Sequence, residues 1–579
     1  MKTGWVRTEK IALQLTIGIA SVFAACISIL CDIYLWGFDE NISIYFRALT
    51  PLIIAILIIS STSLLAVVSF AWTSSLKIMM AIGLILISHL IYYRLIHSFI
   101  NFTIDDTFIT FRYANNLAKG FGPTFNPGWM PVEGYTTFLW MLIMSIPHLI
   151  GLDALIFSKL LGIALGELAI IFAMLISAEI CDVTSPYQKL MAGAVTSLFI
   201  AAYYPMAIHS VSGMETILFT AVLSGVIYCA LVPEINKKTA ILTAIMMLLL
   251  GLTRPEGNLL NAGILVVVFL NQPQMQRRTL VYAVLLFYVL PGIVYFYWRM
   301  SFYQFFLPLP YYAKLGVYHR PEGIADVISY SLTILPPIIF FLLYTVRQAN
   351  PKVWTVAVPV ILLLVFYLFP MHIMGVYARF IFPSSPLLYA LAGAGVINFF
   401  VTSQWLEAGA RSITVKTVFV ITSIGLIALS PLANITTTIK QSGGERNPIA
   451  PYIYFGRYLK AFPSTRPMTL AIGDAGAIPY YSEWNIIDLT GLTDPNTLFA
   501  ASARRYLNYV FRHDPDLVIL TFNDAEKPIR DAAISGALYE RALANGMKKI
   551  GVIKISDAYY LWVFAKPGTQ LEEYLQQAF

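Results

Sequence analysis

The sequence predicts an α-helical polytopic membrane protein that ends in a small soluble α/β domain. Three observations lead there. Apolar residues make up 58% of the chain and charged residues only 12%, about half the charge of an ordinary soluble domain. Apolar runs of about twenty residues recur through the first 435 positions, each long enough to cross a bilayer as a helix. From about Lys440 the runs shorten to strand length, and Asp and Pro become common. The expected division is a membrane unit over 1–435, with a large outer loop at 98–152, and an α/β domain over 436–579.

Spans are expected near 11–36, 50–72, 77–97, 153–178, 188–207, 214–233, 239–252, 257–270, 280–298, 325–346, 353–370, 380–400 and 417–434, about thirteen crossings. Basic residues set their direction. Lys2, Arg7 and Lys10 place the N-terminus in the cytoplasm. Lys77, Lys189, Lys237, Lys238, Arg277, Arg278, Arg347, Lys352, Arg411 and Lys416 mark further inner loops. The odd count sends the C-terminus outside. The first run, from about Ile11, is too long for the apolar part of a cleavable signal and lacks a clear small-residue cleavage site. Residues 136–151 are apolar too, but a span there would invert every later loop and put paired basic residues outside. A helix at the outer interface, or a re-entrant one, is expected instead. The two short spans flanking Arg254 suit backbone that lines a protein cavity.

The net charge of +7 follows from the inner loops and needs no nucleic acid. Cys26, Cys31, Cys181 and Cys229 fall in spans or at the inner face and lack metal-ligand spacing. They read as apolar filler with no disulfide framework. In the last part, TLAIGDAGAIPYY (469–481), NIIDLTG (485–491), DLVILTF (516–522), KKIGVIKIS (548–556) and YYLWVFAKP (559–567) read as strands. Segments 500–512 and 528–547 read as helices, and 435–450, with Gly443, Gly444 and Pro448, as a linker.

Asp105 and Asp106 open the stretch TIDDTFITFRYANNLAKGFGPTFNPGWMPVEGYTTFLW, residues 103–140, just outside an apolar run. An acidic pair at a bilayer surface is costly. Two like charges this close push one pKa up, which suits a general base or a cation site. A solvated loop that happens to begin Asp-Asp is the plain alternative. The topology gathers further polar residues at the same outer ends: Arg112, Glu133, His209, Glu215, Arg254, Glu256, Lys314, His372 and Arg379. Carboxylates that handle a hydroxyl nucleophile and cations that hold a phosphate would need both signs there. Each Arg also has a plain reading as a snorkelling interface residue, and the two histidines as satisfied interface groups. The loop PLPYYAKLGVYHRPEG (308–323) is rich in Pro and Tyr. Its aromatics suit stacking on a sugar face or a headgroup-level belt, and Lys314 suits a phosphate.

These motifs together resemble the GT-C glycosyltransferases, which use polyprenyl-phosphate sugar donors. The nearer resemblance is to the mycobacterial terminal arabinofuranosyltransferase group and its bacterial relatives. It rests first on Asp105-Asp106 with Arg112-Tyr-Ala-Asn-Asn-Leu-Ala-Lys-Gly, Phe125-Asn-Pro-Gly and Val132-Glu133-Gly-Tyr135-Thr. Ser212-Gly-Met-Glu215, Thr253-Arg-Pro-Glu256, Tyr312-Ala-Lys314, Ala378-Arg379 and Ile487-Asp-Leu-Thr-Gly-Leu-Thr-Asp494-Pro support it. The likeness runs over about residues 100–500. The chain departs from the group at Leu309-Pro310, where an Asn-Thr pair is usual. It departs again in Met371-His-Ile-Met-Gly-Val-Tyr, where an acidic residue is usual, and in its first two spans. Sugar and acceptor therefore stay open.

The resemblance implies a GT-C membrane domain and a glycosyltransferase working on the periplasmic side of a bacterial inner membrane. It implies transfer of a monosaccharide, arabinofuranose first, from a polyprenyl-phosphate donor to an envelope glycan, lipid or protein. In that scheme Asp105 is the base, and Asp106 orients it or shares a divalent cation (Mg2+, Mn2+ or Ca2+) with it. Arg254, Lys314 and Arg379 hold the donor phosphate. Arg112, Glu133, Tyr135, Glu215, Glu256, Tyr312 and His372 bind sugar or acceptor. The rival classes are a transporter or flippase of lipid-linked sugars and a non-catalytic envelope scaffold. No internal repeat of the kind common in transporters is visible.

The topology gives one direct expectation. An engineered Ser535→Cys should react with a membrane-impermeant thiol reagent in intact cells. Labelling only after lysis would reject the orientation.

Overall fold

The computed structural model describes residues 74–232, 236–271, 273–314, 322–348, 350–369, 376–402, 422–425, 427, 449–527 and 533–579. The expected spans at 11–36 and 50–72, most of that at 417–434, the linker, Cys26, Cys31, His372 and the Lys314 side chain lie outside the described residues.

Each expected span from 77–97 to 380–400 falls on helix, with 188–207 divided between two helices. In chain order they are α1 (Ser74–Phe99), α2 (Thr107–Ala118), α3 (Phe138–Leu149), α4 (Ala154–Ile180), α5 (Pro186–Ala202), α6 (Pro205–Val211), α7 (Thr216–Leu231), α8 (Lys237–Thr253) and α9 (Glu256–Asn271). Next come α10 (Gln274–Val284), a π-turn at Leu285–Val289 and α11 (Leu290–Tyr303), which form one long rod. Then follow α12 (Leu309–Lys314), α13 (Glu322–Arg347), α14 (Pro351–Phe366) and α15 (Ser385–Thr402). Among the described residues five segments are long and apolar enough to cross a bilayer, or six if the pair α5–α6, bent by 70°, counts as one span. The segment expected at the interface is α3, whose Leu142, Ile146 and Leu149 are exposed.

The helix ends follow local rules. Asp153, Asn236 and Asn350 accept backbone N–H groups at the starts of α4, α8 and α14, satisfying donors a helix leaves free. Helices approach closely where residues are small. A Cβ on Gly162 of α4 would stand 2.1 Å from the Ser210 carbonyl oxygen, and one on Gly166 would strike the Tyr92 hydroxyl. That hydroxyl meets Ser210 Oγ at 2.7 Å. The described cysteines, Cys181 and Cys229, are free.

The C-terminal unit is a five-stranded sheet of order β2-β1-β3-β5-β4. Its strands are β1 (Thr469–Ile472), β2 (Asn485–Asp488), β3 (Leu517–Phe522), β4 (Lys548–Ser556) and β5 (Tyr559–Ala565). The first three run parallel and β5 is antiparallel to both neighbours. The helices are α16 (Ala450–Lys460), α17 (Ala477–Ser482), α18 (Pro495–Leu498), α19 (Ala503–Arg512), α20 (Ala533–Ala544) and α21 (Gln570–Gln576). Segment 469–481 is thus a short strand followed by a helix rather than one strand. Gly473 and Gly476 break the run, and Gly476 adopts φ −92°, ψ −105°.

Strand alternation divides the sheet into two faces. Ala471, Ile487, Val518, Leu520 and Phe564 pack on Tyr506 and Val510 of α19 and on Leu538 of α20. Leu470, Ile472, Ile486, Leu517 and Val563 face α16 and α17 and join the core that runs on into the membrane helices.

Arg112 of α2 secures that junction. It is 4% exposed. Nε donates to Phe125 O at 2.7 Å, and Nη2 to Asn126 Oδ1 at 3.1 Å and Trp484 O at 2.6 Å. Nη1 donates to Pro479 O. Asn126 then pairs with the backbone of Ile486 in both directions, at 2.8 and 3.0 Å, extending the edge of β2. Phe108 and Phe111 of α2 pack against Tyr480 and Tyr481 of α17.

Arg112→Met should cost about 3 kcal/mol, since several buried acceptors lose a charged donor. Arg112→Lys should recover little, because an ammonium cannot reproduce the planar fork. Thermal unfolding of the detergent-purified protein checks both. Unchanged melting in Arg112→Met would show that the junction is held elsewhere.

Candidate functional site

The acidic pair sits on a fixed turn between α1 and α2. Lys159 Nζ of α4 donates to Ile100 O, Phe102 O and Val211 O at 2.8, 2.6 and 2.8 Å. Ile104 N and Thr107 Oγ1 both donate to Ser212 O, at 3.3 and 3.1 Å. The carbonyls of Asp105 and Asp106 accept from Phe108 N and Ile109 N, which begins α2. Beneath lies Gly213 with φ +83°, where a Cβ would come within 2.7 Å of Thr107. Its carbonyl accepts from Trp140 Nε1 at 3.1 Å. The Ser212-Gly213 motif is therefore the floor of the pair.

Asp106 meets Arg379. Nη2 of Arg379 lies 2.9 Å from Asp106 Oδ2. The arginine is 4% exposed, yet among the described residues its Nε and Nη1 have no hydrogen-bond partner. It follows two non-glycine residues in the left-handed region, Tyr377 (φ 51°) and Ala378 (φ 54°). Such backbone costs on the order of 1–2 kcal/mol per residue. His209 Nε2 contacts the Tyr377 carbonyl at 3.0 Å and helps hold this bend.

Arg254, expected to hold phosphate beside Arg379, is instead enclosed by protein. Nε and Nη2 bind Glu215 Oε1 at 2.8 and 2.7 Å. Nη2 also donates to Thr216 Oγ1 at 2.9 Å, and Nη1 reaches Arg379 O at 3.4 Å and Glu256 Oε1 at 3.7 Å. The Tyr367 hydroxyl donates to the same Glu256 oxygen at 2.5 Å. Glu215, Arg254 and Glu256 thus form one network beneath the Arg379 backbone.

Asp105 faces the C-terminal unit. Its Oδ1 accepts from Ala477 N, the first residue of α17, at 2.8 Å. A Cβ on Gly476 would lie 2.2 Å from Asp105 Oδ2, so only glycine lets the backbones approach this closely. Asp474, in the turn before Gly476, is also near. Its carboxylate accepts from Tyr452 at 2.9 Å and from Tyr559 at 2.9 and 3.1 Å. Burial, then the Asp474 charge, push Asp105 up to about 8, against the pull of the Ala477 amide. Burial likewise raises Asp474, although two hydroxyls favour its ionised form.

The residues expected at sugar or acceptor are placed as follows. Glu133 pairs with Arg299 of α11, Nε and Nη2 both at 2.6 Å from Oε2. Burial raises Glu133 to about 7 despite that cation. The Tyr135 hydroxyl meets Tyr303 at 2.9 Å. The Tyr312 hydroxyl accepts from Leu307 N at 3.3 Å, and its ring stands edge-on to Phe499. Arg112 holds the junction described above. Of the expected set, Asp106 with Arg379, and Glu215 with Arg254 and Glu256, come together. Arg299 and Asp474 had not been singled out in the sequence. Arg299 reads as one more basic residue in an aromatic span, but Asp474 left a trace in Gly-Asp-Ala-Gly at the end of a buried strand.

The pair lacks, among the described residues, the further ligands that a divalent cation needs. Among the described residues no group of three or more His, Cys, Asp or Glu side chains is disposed to hold a metal ion. Asp106 already faces a guanidinium, and Asp105 Oδ1 an amide.

Comparison with solved structures shows the fold. ArnT from Cupriavidus metallidurans bound to undecaprenyl phosphate superposes with a TM-score of 0.54 at 12% identity, covering 86% of this chain and 99% of that one. The same protein in its apo state gives 0.53 at 13% identity, over 82% and 96%. The mycobacterial arabinofuranosyltransferase AftD gives 0.51 at 15% identity, over 87% of this chain but 42% of its own length. The chain therefore shares the fold of these proteins, an α-helical membrane architecture, with a small C-terminal sheet. Residues 449–568 match a family described as a domain of unknown function, DUF8728. No curated protein sequence matches the chain.

Proposed function

We propose that the protein is a membrane glycosyltransferase that moves a monosaccharide from a polyprenyl-phosphate donor to an envelope glycan, lipid or protein. The observation that carries this reading is the pairing of Asp106 with a buried arginine that keeps two donors free among the described residues. It sits on the same turn as a carboxyl group of raised proton affinity. Support comes from the fold shared with ArnT, whose structure holds undecaprenyl phosphate, and with AftD, an arabinofuranosyltransferase. Arabinofuranose is the first sugar to test. The outer face of a bacterial inner membrane is the expected place, with the C-terminus outside.

Asp105 takes the proton of the acceptor hydroxyl. The acceptor oxygen then bonds to the anomeric carbon as the bond from that carbon to the phosphate oxygen breaks. The departing polyprenyl phosphate gathers negative charge, which Nε and Nη1 of Arg379 stabilise. Arg254 supports this from below: it binds the Arg379 carbonyl and is itself neutralised by Glu215 and Glu256. Lys314 is retained as a second phosphate ligand, and Glu133, Tyr135, Tyr312 and His372 as the surrounding sugar and acceptor region.

Purified protein given labelled donor lipid and acceptor extract should transfer the sugar. Movement of lipid across vesicles without transfer would favour a transporter, and neither a scaffold. Asp105→Asn should lower transfer about a hundredfold to ten-thousandfold while donor binding persists. Arg379→Lys should weaken donor use despite its charge, because a point-like ammonium cannot reproduce the planar set of guanidinium donors. Normal kinetics in both variants would end the assignment.

The pH profile has a definite sign. Asp105 is raised to about 8. Below that pH it carries its proton and cannot act as a base, so kcat/KM should climb as pH rises through about 8. A flat profile from pH 6 to 9 would remove Asp105 from this role.

A further inference from the structure

Chain order runs from β1 outward to β2, then back across to β3 on the other side of β1. The connecting helices lie on opposite faces, α17 on one and α19 on the other. The strand order therefore reverses at β1. Open parallel sheets place their functional crevices beyond the carboxyl ends of strands at such a point. Here that position, just past Ile472, holds Gly473-Asp474-Ala475-Gly476. The group lying against it is not a free ligand but Asp105 of the membrane unit.

Resting on the reading of Asp105 as the base, we propose that the C-terminal unit supplies part of the transfer centre itself. In this proposal Gly476 and the Ala477 amide orient the Asp105 carboxylate, and Asp474 is a positioning residue that keeps a second negative charge beside it.

Three observations carry this. The Ala477 N–H fixes one carboxylate oxygen of Asp105, and the absence of a side chain at Gly476 makes room for the other. Asp474 cannot swing away, because Tyr452 of α16 and Tyr559 of β5 hold its two oxygens from separate elements. The turn is anchored farther on as well, since Arg112 grips Pro479 O and Trp484 O at the other end of α17. The charged and titratable groups acting on Asp105 are Asp106 from its own turn and Asp474 from this one. Tyr452 and Tyr559 stand beside them, and Arg379 is engaged by Asp106. A carboxylate next to another carboxylate holds its proton more tightly. Asp474 would therefore make Asp105 a stronger base while the amide keeps it aimed.

The test uses full-length protein in detergent and two readouts. The first needs no transfer. A hydrophobic carbodiimide reacts with protonated carboxyl groups, and its adduct at Asp105 is quantified by peptide mass spectrometry across a pH series. The expected midpoint in the wild type lies near 8. In Asp474→Asn it should fall by about one pH unit, with a smaller fall in Tyr559→Phe, which only loosens Asp474. The second readout is transfer. The rising limb of kcat/KM should move down with the labelling midpoint, kcat should drop, KM for donor lipid should hold, and Asp474→Glu should restore part of the loss. Gly476→Ala should lower kcat about a hundredfold by displacing the carboxylate. Unchanged labelling midpoints in both Asp474→Asn and Tyr559→Phe would overturn the proposal. A shifted midpoint in a protein that transfers no sugar would show that Asp474 tunes Asp105 but would defeat the transferase reading, and with it the transfer centre proposed here.

Discussion

The fixed contact between α2 and α17 is what the site depends on. Arg112 lies on the helix that the acidic pair begins, so whatever holds Arg112 also holds Asp105 and Asp106. Its guanidinium is spent on carbonyls of both units and on Asn126. Asn126 in turn completes the edge of β2. A buried arginine is tolerable only when its donors are satisfied. Here they are satisfied only when the C-terminal unit is docked. Folding of the junction and shaping of the acidic turn are therefore one event.

Much of the architecture could be read from the chain because its signals are local. Runs of apolar residues gave helices at every expected span that falls on described residues, and period-two strands with turn residues gave the sheet. Local patterning failed where tertiary packing decided the outcome. AIPYY carries strand-like residues, but Gly476 turns the chain, and α17 forms where it can pack on Phe108 and Phe111. The acidic pair and Arg379 were legible as charges beside apolar runs. Their pairing was not, because 273 positions separate them. Asp474 was not legible for the same reason: only the reversal of strand order at β1 brings it to Asp105. Arg254 shows the opposite case. A charge beside a membrane span looks free for a ligand, and nothing local says that Glu215 and Glu256 will enclose it.

Arg379 decides what kind of ligand the site can want. Its side chain is almost wholly removed from water, and among the described residues only one of its nitrogens has a hydrogen-bond partner, Asp106. Each unmade bond of a buried polar group costs about 1–3 kcal/mol, and the left-handed residues before it add strain. A protein gains no stability from this arrangement, and Arg254 with its two glutamates shows that the same fold can satisfy a buried arginine fully. A pre-aimed, part-satisfied guanidinium is matched by an anion with several oxygens, and a phosphate on a lipid arriving from the bilayer side meets that description. In the proposed reaction Asp106 would orient Arg379 before the donor arrives, and would partly offset the cation so that a bound phosphate could leave with its lipid. The charge on the leaving group grows along the reaction. Donors fixed in advance stabilise that growth without reorganising, which is the condition under which electrostatics lowers a barrier most.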